Sequence, residues 1–336
     1  MALRIGINGF GRIGRNVLRA AWNRDDIEFV HINDLTSDDM LAYLLKYDSV
    51  HRTFPEDVSV VDGGIKIGDR VIPTSAQRNP AELPWGDRGV DVVLECTGAF
   101  TARATAEAHL AAGAPRVIVS APCQSDIDAT FVYGVNHTDY DPKKHQVVSN
   151  ASCTTNCLAP LAKVLADTVG IERGLITTVH SYTMDQNLLD APHRGGKFRR
   201  ARAAAMNMVP TSTGAAKAIG LVLPQLAGRL NGLAIRVPTP NVSLVDFVFD
   251  TGRETTVEEI NGAIREAAAG SLKGVLQACE DPIVSSDLIG NRHSSIADLP
   301  LTQVIDGRMV KVFTWYDNEW GFSNRMVDMA LYMQAA

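Results

Sequence analysis

The stretch that most limits what this chain can become lies at its start: "LRIGINGFGRIGRNVLRAAWNR", residues 3–24. It reads as an apolar strand over 3–9 and a turn carrying Gly9, Gly11 and Gly14 in G-x-G-x-x-G spacing. A helix over 12–24 follows, with Ile13, Val17, Leu18 and Ala21 on one stripe. Strand and helix then alternate. "IEFVHIND" (27–34) is a second strand, "DMLAYLLKY" (39–47) a helix, and "VDVVLECTG" (90–98) a continuous apolar strand. Such a run is buried on both faces, as in a parallel sheet. "ARATAEAHLAAGA" (102–114) is an alanine-rich helix that stops at Gly113, and "RVIVSAP" (116–122) and "HQVVSNAS" (145–152) are further strands.

This alternation predicts an α/β chain whose first domain is a Rossmann-type, doubly wound parallel sheet. In that setting the glycines have work to do. They let the backbone turn tightly and approach a pyrophosphate, while the helix start offers free N–H groups and the positive dipole end. An acid some twenty residues on should hold the ribose hydroxyls. Asp34 ends the second strand, twenty residues after Gly14. A carboxylate there would repel a 2′-phosphate, so the cofactor is read as NAD.

Beyond residue 157 the texture changes. "LAPLAKVLADTVG" is a helix; "GLITTVHSYT", "LNGLAIRVPTPNVSLVDFVFD" and "MVKVFTWYDNEWG" alternate polar and apolar residues. They predict an α+β second domain with a mostly antiparallel sheet. A threonine-capped helix covers 256–270 and a closing helix 323–334. Residues 188–203 follow neither period and read as a long functional loop. The domains are placed at 1–150, completed by 317–336, and at 151–316.

Bulk properties remove several classes of function. A net charge of −6 argues against a general nucleic-acid binder and leaves nucleic acid at most a secondary partner. Five scattered cysteines make no disulfide framework, no apolar run is long enough to span a membrane, and the N-terminus is no signal peptide. The chain is read as cytoplasmic.

"SNASCTTNC" (149–157) sets two cysteines four apart. Neither has the further ligands a zinc site needs, so no metal is expected. Cys153 falls where a strand ends and a helix begins. There the dipole and open N–H groups favour a thiolate and lower its pKa. His180, closing the strand in "TTVHSYT", is the candidate base. A small buried hydrophobe at 153 and a satisfied core histidine at 180 fit these residues as well. Cys157, one turn further in, reads as packing. Arg194, Lys197, Arg199, Arg200 and Arg202 crowd one loop, a local well for anions. Arg236 sits in apolar "LAIRVPT" and needs a partner, and "PTSTGAAKAIG" sets hydroxyls and Gly214 ahead of a helix.

"INGFGRIGR", "SNASCTTNCLAP", "PTSTGAAKA", "RVPTPNVS" and "WYDNEWGFSNR" together resemble phosphorylating glyceraldehyde-3-phosphate dehydrogenase, in order from residue 3 to about 333. The resemblance implies a homotetramer that converts glyceraldehyde 3-phosphate, NAD and inorganic phosphate to 1,3-bisphosphoglycerate in glycolysis or gluconeogenesis. It implies Cys153 as nucleophile, forming a thiohemiacetal and then a thioester, and His180 as base. The substrate's phosphate would meet Thr183 and Arg236. Inorganic phosphate would meet Ser152, Thr213 and Gly214, with Arg199 near both pockets, and Thr154 would join the substrate- and phosphate-binding set. Cofactor positions would be Asn8, Gly9, Gly11, Arg12, Ile13, Gly14, Asp34, Arg78, Thr97, Ser120 and Asn318, the last on the nicotinamide carboxamide.

Two positions depart from the common pattern. Ala191 in "LLDAPH" stands where NAD-specific bacterial members often have leucine, and Phe322 stands where many relatives carry tyrosine. Pro192 and Asp34 keep NAD as the favoured cofactor. The nearest rival is erythrose-4-phosphate dehydrogenase, in which the "TGAAKA" region is altered; here it is intact. A Cys–His hydrolase, the rival from another class, would have no use for the nucleotide loop.

Overall fold

The computed structural model describes residues 1–123 and 126–336. The chain divides into two units. One comprises Met1–Phe131, His137–Ala151 and Ser323–Ala336; the other comprises Val132–Asn136 and Ser152–Phe322. Val132–Asn136 joins the second because Gly134 lies against Leu272 and Val275. Residues 317–322 belong there too: Asp317 accepts from the Gly290 N–H at 2.8 Å, and Gly321 lies against the His293 carbonyl.

The first unit holds β1 (Leu3–Asn8), α1 (Arg12–Ala21), β2 (Ile27–Asn33), α2 (Asp38–Lys46), β3 (Val58–Val61), β4 (Gly64–Ile67) and β5 (Arg70–Ser75). It continues with β6 (Val92–Glu95), α3 (Arg103–Ala106), α4 (Ala108–Ala111), β7 (Val117–Val119), β8 (Ala129–Thr130) and β9 (Val147–Ser149). The sheet order is β3-β4-β5-β2-β1-β6-β7-β9-β8. From β5 onward the pairings are parallel, and β3–β4–β5 is an antiparallel meander. All four residues of β6 and all three of β7 are buried, which is why these segments carry no polar alternation. The sheet grows outward both ways from β1, and a doubly wound sheet binds ligands beyond the strand ends at such a switch point.

The alanine-rich segment is not one helix. At Glu107 it breaks into α3 and α4, where Leu110 N–H turns to the Glu107 carbonyl at 2.9 Å, an i→i−3 bond. His109, tied to Glu95 and Trp85, sits at this break. Tertiary contacts there override alanine's propensity.

The second unit holds α5 (Cys153–Val169), β10 (Arg173–Ser181), β11 (Val209–Ser212), α6 (Ala215–Val222), β12 (Leu230–Val237), β13 (Ser243–Asp250) and α7 (Val257–Ala269). Then come β14 (Leu276–Cys279), β15 (Ser295–Asp298), β16 (Gln303–Ile305), β17 (Met309–Tyr316) and α8 (Trp320–Ala335), which ends in the first unit. The sheet order is β11-β12-β10-β13-β17-β15-β14, with β16 on β17. Only β10–β12 and β14–β15 pair in parallel. Burial alternates strictly along β13 and β17. Cys157, Leu158, Leu161 and Leu165 of α5 are fully buried. No helix among the described residues is long and apolar enough to cross a membrane.

Candidate active site

In the first unit a cleft of about 430 Å³ opens beyond the ends of β1, β2 and β6. Asn8, Gly9, Gly11, Asp34, Arg78 and Thr97 all line it. The three glycines have separate reasons to lack side chains. Gly9 has φ +90, and a Cβ there would lie 2.6 Å from the Thr97 nitrogen. A Cβ on Gly14 would lie 2.3 Å from the Gly9 carbonyl oxygen, so α1 can approach β1 only with glycine here. Nothing lies within 4 Å of a Cβ on Gly11. That open position at the helix start is where a pyrophosphate backbone would rest. Asp34 accepts from Phe10 N–H at 2.8 Å and Thr36 N–H at 3.1 Å, so it also braces the loop.

The remaining cofactor candidates divide. Arg12 pairs with buried Asp48. Ile13 is half-buried on α1, and Arg78 is exposed. Ser120 gives its N–H to the Glu95 carbonyl at 2.9 Å. Asn318 belongs to the second unit, buried, where its Oδ1 accepts from Ser243 Oγ at 2.9 Å.

In the second unit Ser152 caps α5, its hydroxyl accepting from the Thr155 N–H at 3.0 Å. Cys153 is therefore the first helical residue. Its Sγ lies 3.6 Å from His180 Nε2, near the end of β10. His180 Nδ1 is 2.6 Å from the Ser181 carbonyl, an acceptor only, so Nδ1 carries the proton and Nε2 turns a lone pair to the sulfur. Burial, then Arg236, pushes the His180 pKa down to about 3, against the bond to Ser181. The imidazole is thus a neutral base near pH 7.

The sulfur departs from expectation. The helix start does not leave Cys153 with a lowered pKa: burial pushes the thiol up, and the Arg236 charge and hydrogen bonds at Thr154 offset this only in part. Desolvation of the charged form outweighs the Arg236 charge and the helix-start hydrogen bonds. The resting pair is a thiol facing a neutral imidazole. Burial raises Cys157 further, and it packs against Thr314 and Trp315.

Arg236 stands opposite His180 in the β10–β12 register. Its Nη1 donates to Thr183 Oγ1 at 2.6 Å and to the Ser181 carbonyl at 3.2 Å, with Asp185 at 3.9 Å. Protein groups, Asp185 above all, supply the partner that the apolar strand demanded. Asp185 also bonds Thr183 and Arg200. Arg200, whose side chain is 12% exposed, is the loop arginine turned inward. Arg199, singled out from the sequence, is exposed on the 3₁₀ turn Phe198–Ala201. Thr154 is buried, and its hydroxyl is committed to Tyr316 OH at 2.8 Å. Thr213 Oγ1 accepts from Ala215 N–H at 3.2 Å beside Gly214 at the start of α6.

Asp185 and Tyr316 were not legible as partners of these residues, and Arg200 was one of five loop charges with nothing to single it out. Asp185 stands two residues from Thr183 and Arg200 one from Arg199, but spacing does not say which side chain turns inward. Among the described residues no group of His, Cys, Asp or Glu could hold a metal ion.

The fold and these groups define an α/β nucleotide-binding enzyme with a cysteine–imidazole pair. Residues 3–103 match the family pattern "Glyceraldehyde 3-phosphate dehydrogenase, NAD binding domain", and residues 152–318 match "Glyceraldehyde 3-phosphate dehydrogenase, C-terminal domain". The glyceraldehyde-3-phosphate dehydrogenase of Priestia megaterium is 59% identical over 335 residues, covering 100% of this chain and 99% of that protein. Glyceraldehyde-3-phosphate dehydrogenase 1 of Bacillus subtilis is 58% identical, covering 99% and 98%. The Cereibacter sphaeroides enzyme is 58% identical, covering 99% of each. The chain belongs to the glyceraldehyde 3-phosphate dehydrogenase family, and it is an NAD-dependent oxidoreductase.

Proposed function

We propose that this chain oxidises glyceraldehyde 3-phosphate in the presence of inorganic phosphate to 1,3-bisphosphoglycerate, as a glycolytic or gluconeogenic enzyme. The observation that carries the reading is Cys153 Sγ, 3.6 Å from the unprotonated Nε2 of His180. The glycine loop and Asp34 suit NAD, which when bound supplies a hydride acceptor. The first unit is then the cofactor domain and the second the catalytic domain.

Attack begins with transfer of the Cys153 proton toward His180 Nε2 as Sγ bonds the aldehyde carbon. His180 passes that proton on to the carbonyl oxygen, giving a thiohemiacetal on Cys153 and a neutral imidazole again. His180 then accepts the hydroxyl proton while the carbon's hydrogen departs as hydride, leaving a thioester. Inorganic phosphate attacks the thioester carbon, the C–S bond breaks, and Cys153 leaves as thiolate, reclaiming its proton from His180. Arg236 and Thr183 suit the substrate's phosphate, which would compete with Asp185 for the guanidinium. Ser152, Thr213 and Gly214 suit the attacking phosphate. Asn318 suits an amide.

The long loop exposes large apolar side chains: Leu188 at 86%, Leu189 at 72% and Phe198 at 91%. A homotetramer would cover them. Cytoplasmic residence accords with this role.

The test is the NADH absorbance band with aldehyde substrate, with and without phosphate, for NAD and NADP. Turnover should require phosphate and prefer NAD. Turnover indifferent to phosphate would point to the erythrose-4-phosphate enzyme instead.

A further inference from the structure

Beneath the nucleotide cleft lies a sealed carboxylate. Glu95, the last residue of β6, is 0% exposed. Its Oε2 receives Asn8 Nδ2 at 2.5 Å and His109 Nε2 at 3.0 Å. Its Oε1 receives the Thr97 N–H at 2.7 Å and the Thr97 hydroxyl.

The direction of every one of these bonds is fixed by groups that cannot reverse. Trp85 Nε1–H, a donor only, points at His109 Nδ1 at 3.0 Å. His109 Nδ1 is therefore unprotonated, and Nε2–H donates to Glu95. The contact is a neutral imidazole on a carboxylate, not an ion pair. On the other side Asn33 Oδ1 accepts from the Gln77 N–H at 2.8 Å, and Asn33 Nδ2 donates to the Gln77 carbonyl at 2.9 Å. Backbone groups thus set the Asn33 amide. Asn33 Nδ2 also donates to Asn8 Oδ1 at 2.7 Å, which turns Asn8 Nδ2 toward Glu95. The Thr97 hydroxyl accepts from Ala99 N–H at 3.1 Å and must send its own hydrogen to Glu95. Four donors converge, and only an ionised carboxylate accepts all four.

Asn8, Asn33 and Thr97 of this network line the cleft. We propose that Glu95 is a positioning residue for the dinucleotide: a buried carboxylate that fixes the cleft wall at Asn8 and Thr97, itself held by the Trp85-locked tautomer of His109. The proposal rests on the cleft being the NAD site. Glu95 touches no cofactor on this account; it acts through the residues above it.

The experiment is calorimetric titration of the full-length protein with NAD, wild type first. Glu95→Gln keeps the shape but sets an NH₂ against donors, so affinity should fall about tenfold or more. His109, sealed from solvent, gives a second handle. His109→Gln can still accept from Trp85 and donate to Glu95, and should bind within about twofold of wild type. His109→Leu removes the donor and should bind about fivefold more weakly. A purely packing role predicts the reverse, because an apolar side chain of similar volume suits a closed core better than an amide. Alkylation of Cys153 by iodoacetamide should be unchanged throughout. Should Glu95→Gln fail to fold, the His109 pair decides. The proposal falls if Glu95→Gln binds NAD as wild type does, or if His109→Leu matches His109→Gln. A wild type that binds no NAD removes the cofactor reading itself, and the proposal with it.

Discussion

Replacing His180 with asparagine tests the catalytic pair most directly. Asparagine keeps a polar group near the Ser181 carbonyl but has no nitrogen lone pair at the Nε2 position. The cost follows from the protonation states. Burial holds the Cys153 thiol above the ordinary cysteine range. At pH 7 the thiolate is therefore a minority species. A base that takes the proton as the C–S bond forms avoids a free thiolate, and general-base catalysis is typically worth about 10² to 10⁴ in rate. His180→Asn should thus lower kcat about 10²- to 10⁴-fold at pH 7. NAD affinity should stay as it is, because the glycine loop belongs to the other unit. The loss should shrink as pH rises, because more of the thiol then ionises unaided. Stopped-flow NADH formation across pH 6–10, with calorimetric NAD titration, measures both. A loss below about tenfold at pH 7, in a variant that binds NAD normally, would refute the role given to His180.

Two further predictions concern the first unit. Gly14→Ala must displace α1 from the Gly9 carbonyl and should cost about 1–3 kcal/mol of stability along with NAD binding. Gly11→Ala meets nothing, so thermal unfolding should move by less than about 1 kcal/mol while NAD affinity falls about tenfold or more; equal effects at both positions would contradict the separate roles. Burial would raise the Asp48 carboxyl, but the His51 N–H, Arg12 and the Val50 N–H outweigh it and hold the pKa at about 2. The folded value is depressed from 3.8, so this stability is present above pH 3.8 and lost as pH falls through about 2. Asp48→Asn should cost about 2 kcal/mol at pH 6 and progressively less below pH 3.8, by urea unfolding; a cost independent of pH would exclude the ionic account.

The two sheets and the positions of Gly9, Gly11, Gly14, Asp34 and Cys153 were legible in the residues alone. These features are local. A glycine spacing, an alternation of period two, or a hydroxyl one residue before a helix acts on the backbone beside it, and the chain writes it in order. What stayed hidden depends on residues far apart. Glu95 reads as the end of an apolar strand until Asn8, 87 positions away, is seen to bond it. Arg199 and Arg200 are adjacent and alike in charge, and only the loop's path sets one in water and one on Asp185. The sulfur's position at a helix start is a matter of sequence. Its protonation is not, because burial is a property of the whole fold, and desolvation there raises the thiol that the local pattern promised to lower.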